Sequence, residues 1–305
     1  MQKDRNANGS SELEDHELDS IEEQAPIRAV AIFEAIRREG RVELDRPVSA
    51  LTASGFVAGI ALGLSVLSEG LFRRHLPDAP WRPLIESLGY SVGFVVVILS
   101  QMQLFTENTI KAVCPVLNEF CGRMILRLLR LWGLVLGTNL AGAVTFGIVL
   151  YLTRGYQPAV WAAVHGIAQE ALAYGGGETL LRGIGAGWLI AALVWMMPNA
   201  ADAKTFVIVL MTYLVSLAGF AHVIAGTVEA TIVVLAGDRS TLSAIGGYIL
   251  PALAGNLLGG TVFFTVLAWV QIRTEFLGKE AAAEWTGQSR ALPPPGQSGR
   301  RQPEG

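Results

Sequence analysis

A histidine and a threonine lie in stretches of sequence where charged side chains are scarce. His222 falls within residues 205–228, which contain no carboxylate, lysine or arginine, and Thr106 closes residues 84–106, whose single charged side chain is Glu86. An imidazole titrates near neutral pH, and a hydroxyl can accept a hydrogen bond from an imidazole while donating its own hydrogen to an anionic oxygen. The two side chains together could share a proton with a small anion.

The apolar stretches around these residues predict an all-α membrane protein. The chain is 51% hydrophobic and 16% charged, with a mean hydropathy of +0.44, which is too apolar for an ordinary soluble domain. About 20 helical residues cross the hydrocarbon core of a bilayer. Six stretches come to about that length or more with at most one carboxylate, lysine or arginine, and are numbered spans 1 to 6: residues 48–72, 84–106, 131–152, 183–201, 205–228 and 240–272.

The basic residues predict the side of the membrane on which each loop lies. An even number of spans puts both termini on one side, and cytoplasmic loops carry the excess of Lys and Arg. With both termini in the cytoplasm, seventeen of the 23 Lys and Arg lie on that side and six on the other. The chain is therefore expected in the inner (plasma) membrane with both termini cytoplasmic.

Composition divides the chain into four parts. Residues 1–24 are polar and acidic, which predicts a disordered cytoplasmic tail and not a signal peptide. Residues 25–46 are typical of an amphipathic helix on the membrane surface, with a polar linker as the alternative. Residues 47–278 contain the six spans, and residues 279–305 predict a flexible cytoplasmic tail.

Several classes of function find no support in the sequence. No basic cluster indicates nucleic-acid binding. Cys114 and Cys121 have a spacing that matches no common zinc or redox motif, so no metal or other cofactor is expected. An intramembrane enzyme would need a nucleophile beside a base, and Ser65 in its Gly-x-Ser sequence has no partnering motif. The protein is not expected to be an enzyme.

Spans 1 to 3 and spans 4 to 6 carry matching motifs. Asn139 in span 3 and Asn256 in span 6 are 117 residues apart, and Gly55 and Gly183 each begin a Gly-x-x-Ala-Gly sequence, 128 residues apart. Because an odd number of spans separates the copies, the two halves are expected to cross the membrane in opposite directions. The prediction is an inverted 3+3 repeat of about residues 48–153 and 180–272.

Spans 2 and 5 are expected to be broken at equivalent places. At an offset of 117, residues 101–107 align with residues 218–224. The polar segment in span 2 is therefore equivalent to the segment of span 5 that contains Gly219 and His222. Non-helical backbone at membrane depth is tolerated only where protein or an aqueous cavity satisfies its free amide and carbonyl groups. Paired broken helices indicate a binding site between the halves, and residues 101–106 and 219–222 are therefore predicted to line a pathway.

The break favours a functional role for His222 over the packing role that a lone histidine in an apolar helix usually has. Glu107 and Glu229 are candidate pore carboxylates, because Glu107 adjoins the break in span 2 and Glu229 lies about two helical turns beyond His222. A helix cap is an equal alternative for Glu107, and a subunit interface or the lipid headgroup level is the alternative for Glu229. Glu69, at the end of span 1, is expected at the membrane interface.

These motifs together resemble the formate/nitrite transporter family. The resemblance rests on Leu104-Phe105-Thr106, on Gly219-Phe220-x-His222 and on the paired motifs around Asn139 and Asn256, and it extends over about residues 25–275. It implies an aquaporin-like protomer of six helices, usually assembled as a pentamer with one pore in each protomer. Proteins of this kind pass small monovalent anions or their conjugate acids.

The resemblance also implies roles for single residues. The loop in span 2 would supply Thr106, and the break in span 5 would supply a central His222, with Leu104, Phe105 and Phe220 nearest to the apolar constrictions. The predicted substrate pathway consists of Thr106, His222, Leu104, Phe105, Phe220, Asn108, Asn139 and Asn256.

The chain departs from the family pattern at three points. The usual acidic residue before the histidine is Ala221 here, and the usual asparagine four residues after it is Gly226. No lysine occurs between Lys111 and Lys204, although many members have one near the outer mouth of the pore. A carboxylate and an amine are therefore missing together.

The resulting prediction is a homopentameric channel or secondary transporter for small monovalent anions such as formate or nitrite, embedded in the lipid bilayer. Two alternatives share its fold. The missing lysine would suit a pore for neutral small solutes, and the long acidic tail would suit a sensor or scaffold that has lost transport.

Overall fold

The computed structural model describes residues 28–274, which form helices joined by turns and short loops, and this part of the chain contains no strand. The predicted tails, residues 1–24 and 279–305, lie outside the described residues. Five helical stretches are long and apolar enough to cross a membrane, and one of them, Arg82–Leu99, consists of two shorter helices joined by a turn. In chain order the helices are α1 (Ala29–Asp45), α2 (Val48–His75), α3 (Arg82–Glu86), α4 (Ser91–Leu99), α5 (Val113–Asn118), α6 (Gly122–Thr153), α7 (Pro158–Ala171), α8 (Gly176–Met196), α9 (Lys204–Leu217), α10 (Val223–Ala236) and α11 (Thr241–Thr274).

Two long helices begin earlier than hydropathy predicts, and charged side chains near the beginning of each have partners. Helix α6 begins at Gly122 instead of residue 131, and there Arg127 forms an ion pair with Asp45 at 2.8 Å. Helix α8 begins at Gly176 instead of residue 183, and it includes an Arg182–Glu178 pair, one turn apart at 2.8 Å. Charges that are satisfied in this way do not end a helix.

Two segments without regular helix interrupt the chain, one after α4 and one after α9. Helix α4 ends at Leu99, and regular structure resumes only with a short 3₁₀ turn at Glu107–Thr109. Helix α9 ends at Leu217 and α10 begins at Val223. The interruptions contain the segments 101–106 and 219–222 that the sequence analysis identified. We call them the first break and the second break.

A residue with positive φ opens each break. Gln101 has φ +52° and Gly219 has φ +62°, in the left-handed region. Glycine adopts this conformation without steric cost, whereas glutamine rarely does. The chain turns sharply at both points, and the two residues are 118 positions apart.

Close helix contacts hold the breaks in place. A Cβ atom at Gly59 of α2 would come within 2.1 Å of the Asn139 carbonyl oxygen on α6, and a Cβ at Gly187 of α8 would come within 2.3 Å of the Asn256 carbonyl oxygen on α11. Only glycine permits backbones to approach this closely. The α2–α6 and α8–α11 pairs therefore place one buried asparagine beside each break.

Helix α1 packs on the rest of the molecule through an apolar face and through charged side chains. Ile32, Phe33 and Ile36 are buried, and Arg41 forms a bidentate contact with Glu119 beyond α5. Hydrogen bonds from Arg41 lower the pKa of the Glu119 carboxyl. The helix is thereby attached close to the beginning of α2.

Candidate functional site

Asn139 holds the backbone of the first break. Its Oδ1 accepts a hydrogen bond from the amide of Phe105 at 2.9 Å, and its Nδ2 donates to the carbonyl oxygens of Gly55 and Gln103 at 2.7 and 2.8 Å. The side chain is completely buried. Two backbone groups of the break that lipid could not satisfy are thus paired by one amide, which also joins them to the Gly55 carbonyl of α2.

Asn256 does the same for the second break. Its Oδ1 accepts from the amide of Val223 at 2.9 Å, and its Nδ2 donates to the carbonyl oxygens of Gly183 and Ala221 at 2.9 and 2.8 Å. An amide nitrogen has two hydrogens, so in both asparagines each hydrogen is already donated to the backbone. Neither side chain has a hydrogen left for a substrate.

The paired hydrogen bonds correct the predicted register of the two breaks. Phe105 matches Val223, and Gln103 matches Ala221, so the loops correspond at an offset of 118 and not of 117. The asparagines themselves remain 117 residues apart. The offset between the two loops is therefore one residue larger than the offset between the two asparagines. At the offset of 118, Leu104 is the residue equivalent to His222.

The structure brings Thr106 and His222 together across 116 residues of sequence. Thr106 Oγ1 lies 2.9 Å from His222 Nε2, and each side chain is only 1% exposed. The amide of Ala225 donates to His222 Nδ1 at 3.4 Å, because His222 is the N-cap of α10. A backbone amide can only donate, so Nδ1 is the acceptor and the hydrogen of a neutral imidazole is on Nε2. Thr106 therefore accepts from His222, and its own hydroxyl hydrogen is free to be donated.

The surroundings fix the orientation of both side chains. The ring of Phe94 contacts the imidazole edge-on, with centroids 5.1 Å apart. The carbonyl of Thr106 accepts a hydrogen bond from Thr109 Oγ1 at 2.7 Å, and the carbonyl of Thr109 accepts one from Thr261 of α11 at 3.0 Å. The first break is thus connected to the helix that carries Asn256.

A cavity of about 240 Å³ reaches His222 from the end of α2, and we call it the His222 cavity. Phe220 lines it beside the imidazole, and the Phe220 ring lies over Gly185, where a Cβ atom would come within 2.6 Å of the ring. The polar residues that line the cavity include Glu69, Arg73, Arg182, Glu229 and Tyr248.

A second cavity, of about 250 Å³, reaches Leu104 from the beginning of α2, and we call it the Leu104 cavity. Asn108 lines it and donates to Gln103 Oε1 at 3.2 Å. Helix α2 has 28 residues and a length of about 42 Å, so the two cavities lie at opposite ends of the molecule. The two breaks, with the Thr106–His222 pair, lie between these two cavities.

The predicted pathway residue Phe105 and the candidate pore carboxylate Glu107 have surroundings that hydropathy alone could not show. Phe105 is buried, and its ring contacts Trp132 edge-on, with centroids 6.0 Å apart. Glu107 is 5% exposed and forms an ion pair with Lys111 at 2.8 Å in the Leu104 cavity. The position of Lys111, four residues after Glu107, is a usual ion-pair spacing.

The structure corrects the expectation for Glu69 and adds a guanidinium to the site. Glu69 was expected at the membrane interface, but it is 5% exposed and faces the His222 cavity, because α2 continues one further turn to His75. Arg182 donates to the carbonyl of Gly219 at 2.9 Å and so supports the second break. Among residues 28–274, no group of three or more His, Cys, Asp or Glu side chains could hold a metal ion.

Comparisons with known proteins identify the family of the chain. A family model described as "Formate/nitrite transporter" matches residues 30–270. The "Inner membrane protein YfdC" of Escherichia coli (strain K12) is 38% identical over 261 residues, covering 86% of this chain and 84% of its own. The "Nitrite transporter NirC" of the same organism is 28% identical, covering 76% of this chain and 87% of its own.

A solved structure shares the fold. The structure titled "Pentameric formate channel with formate bound" superposes with a TM-score of 0.62 at 20% sequence identity, covering 73% of this chain and 96% of that one. At this identity the likeness concerns the fold alone.

Proposed function

Because the chain belongs to the formate/nitrite transporter family, we propose that it is a channel or secondary transporter that passes small monovalent anions of weak acids, with proton sharing at His222. Formate and nitrite are the first substrates to test, since relatives are named for them. The observation that carries the proposal is the 2.9 Å contact between Thr106 and His222, which lies between two cavities that open at opposite ends of the molecule.

The contact suits a solute that crosses as a neutral acid. An ionised carboxylate loses its hydration in an apolar constriction at a cost of several kcal/mol, whereas the neutral acid loses much less. Leu104 and Phe220 would form the constrictions, because each borders one cavity. The Thr106 hydroxyl would donate to a substrate oxygen while the imidazole shares its proton. Asn139 and Asn256 would position the loops without touching the substrate.

The membrane arrangement proposed for the chain has six crossings. Five are the long apolar helical stretches, and the sixth consists of α9 and α10 with the second break between them. The equivalent hydrogen bonds of Asn139 and Asn256 support two inverted halves. The distribution of Lys and Arg supports cytoplasmic termini, and the Escherichia coli relative supports the inner membrane. The fold shared with a pentameric channel supports a homopentamer.

Uptake by proteoliposomes tests this function. Purified protein should accelerate entry of labelled formate or nitrite, and Thr106→Val and His222→Asn should each lower the rate by roughly a hundredfold, the scale of a lost proton donor. His165→Asn serves as the control, since His165 lies on α7 and pairs with Asp238 at 2.6 Å. Unchanged uptake in both Thr106 and His222 variants would refute the mechanism.

One observation favours the neutral-solute pore as a second candidate. The amine of Lys111 in the Leu104 cavity is paired with Glu107 at 2.8 Å and lies 3.8 Å from Glu39, which weakens its attraction for an anion. A neutral pore would carry no current at any membrane potential. It would also show no dependence on pH beyond the titration of the acid itself.

A further inference from the structure

Two helices place buried carboxyl side chains in the His222 cavity. Glu69 of α2 is 5% exposed, and Glu229 of α10 is 6% exposed. Glu229 follows His222 by seven residues, which is about two helical turns, so both project from nearly the same face of α10. The cavity that reaches the imidazole is therefore also the one that contains both carboxyl groups.

The guanidinium groups of the cavity are engaged with other carboxylates. Arg73 pairs with Glu86 at 2.7 Å and with Glu170 at 2.8 Å, and Arg182 pairs with Glu178 at 2.8 Å. No Lys or Arg among residues 28–274 forms an ion pair with the two buried carboxyl groups. These carboxyl groups thus face the cavity without a cationic partner.

Of the two buried carboxyl groups, Glu229 is the one without a hydrogen-bond partner among residues 28–274, so it is available to a solute in the cavity. Glu69 Oε1 accepts a hydrogen bond from Ser216 at 2.5 Å. Glu229 has no hydrogen bond to any other side chain or backbone group in the described part of the chain. It is an unpartnered polar side chain, more than nine-tenths buried, that lines the space next to His222.

Ionising both carboxyl groups would be costly. Burial penalises each charge by several kcal/mol, and two like charges in one site repel each other. Protonation of one of them removes most of that cost. The pair therefore behaves as a proton-binding group and not as two independent anions.

A tyrosine hydroxyl packs against α10 at Gly226, between His222 and Glu229 in the sequence. Gly226 lies between His222 and Glu229 on α10, and a Cβ atom there would come within 2.2 Å of Tyr248 Oη. Gly226 thus leaves room for the Tyr248 hydroxyl on the α10 face that joins the two ionisable groups. Tyr248 is carried by the π-helical stretch Ile245–Ile249, a type of distortion frequent at functional sites.

We propose that Glu69 and Glu229 form a proton-loading site in the His222 cavity, which makes the protein selective for the anions of weak acids over the anions of strong acids. The proposal deepens the function proposed above and rests on it. It also explains how the chain can have an alanine, Ala221, where the family usually has an acidic residue. The acidic groups are supplied by Glu229, two turns further along α10, and by Glu69 of α2.

The proton balance of each transfer is simple. The O–H bond of the protonated Glu229 breaks, and a new O–H bond forms on the carboxylate or nitrite oxygen of the substrate. Glu229 is left as a carboxylate, and it regains a proton from the solution at that end of the pore, directly or through Glu69. An anion such as chloride or nitrate cannot hold the proton and would remain charged before Phe220.

Transport measurements on proteoliposomes test the proposal. The wild-type protein should take up formate or nitrite at least tenfold faster than chloride or nitrate, and uptake should rise as the pH falls on the side of the His222 cavity. Glu229→Gln and Glu69→Gln keep the shape of the side chain but cannot release a proton. Each should lower formate uptake roughly tenfold or more and flatten its dependence on pH.

Glu170→Gln is the matched control, because it removes a carboxylate that faces the same cavity but is exposed at its mouth. It should leave the pH dependence intact, and a loss as large as that of Glu229→Gln would reduce the effect to general electrostatics and overturn the proposal. So would uptake that requires sodium or potassium, since the carboxyl pair would then bind a cation.

Two further variants separate failure of folding from failure of the site. Glu229→Asp retains a titratable carboxyl group and should recover pH dependence, and Tyr248→Phe should lower uptake severalfold with the pentamer or other assembly unchanged by size-exclusion chromatography. Pair variants that transport formate with the wild-type pH profile would overturn this proposal while the function stands. A wild-type protein that transports no weak acid would overturn both.

Discussion

The two breaks share one backbone frame but differ in the side chain at its centre. Each opens with a residue of positive φ, Gln101 or Gly219, and the backbone of each makes two hydrogen bonds with one buried asparagine. At the offset of 118 defined by those bonds, Leu104 in the first break occupies the place of His222 in the second. The backbone arrangement is repeated in both breaks, whereas only the second break has an ionisable side chain at this position.

The continuation of the chain differs as well. After the first break a 3₁₀ turn at Glu107–Thr109 and the short α5 follow, whereas α10 starts directly after His222 and uses it as a cap. The helix amide at Ala225 thereby determines which nitrogen of His222 faces Thr106. The comparison shows that a repeated scaffold can place a hydroxyl from one half against an imidazole from the other.

The largest expected effect concerns the two asparagines, since the shared frame depends on them. Asn139→Leu and Asn256→Leu each leave two buried backbone groups of a break unpaired, at about 1–3 kcal/mol per group, whereas the Gly55 and Gly183 carbonyls lie inside helices and keep their helical hydrogen bonds. Both variants should therefore lose about 2–6 kcal/mol of stability, to a similar degree. Thermal unfolding in detergent measures this, with Asn118→Leu at an exposed position as the control. Stability losses that differ by several kcal/mol between the two variants would show that the two asparagines are not equivalent.

A smaller effect is expected at the positive-φ positions, where the two breaks differ. Gly219→Ala should destabilise the protein by about 1–2 kcal/mol, because φ +62° strains any residue with a Cβ atom. That Cβ would also come within 2.7 Å of Arg182 Nη1. Gln101→Gly should have the opposite sign and gain up to about 1 kcal/mol. Thermal unfolding of the two variants side by side is the measurement, and equal signs would contradict the proposed backbone strain.

The smallest effect concerns the attachment of α1 near the first break, which has no equivalent near the second. The Glu119 carboxyl has a lowered pKa because Arg41 donates hydrogen bonds to it. Its contribution is therefore present above the ordinary value of 4.5 and is lost as the pH falls below that value. Hydrogen exchange of α1 should accelerate at about pH 3, and Glu119→Gln should show the faster exchange already at neutral pH. Exchange that is independent of both changes would refute the attachment.

The sequence was sufficient for the helical membrane fold and for the places of the interruptions, because hydropathy and a duplicated motif report on both. It could not give the register of the loops, since the extra residue appears only in the hydrogen bonds of Asn139 and Asn256. It also misplaced Glu69, because a carboxylate near a helix end looks the same whether it faces lipid headgroups or a cavity. Tyr248 could not be found from sequence, since its position depends on the space left by Gly226.

The central claim is that a solute crosses between the two breaks together with a proton shared at the Thr106–His222 pair. It is tested most directly by counting protons and anions at the same time, with a pH-sensitive dye inside proteoliposomes and labelled formate outside. The account predicts one proton for each formate in the wild-type protein and loss of that coupled flux in His222→Asn. Formate entry that carries current without acidifying the interior, unchanged by His222→Asn, would contradict it.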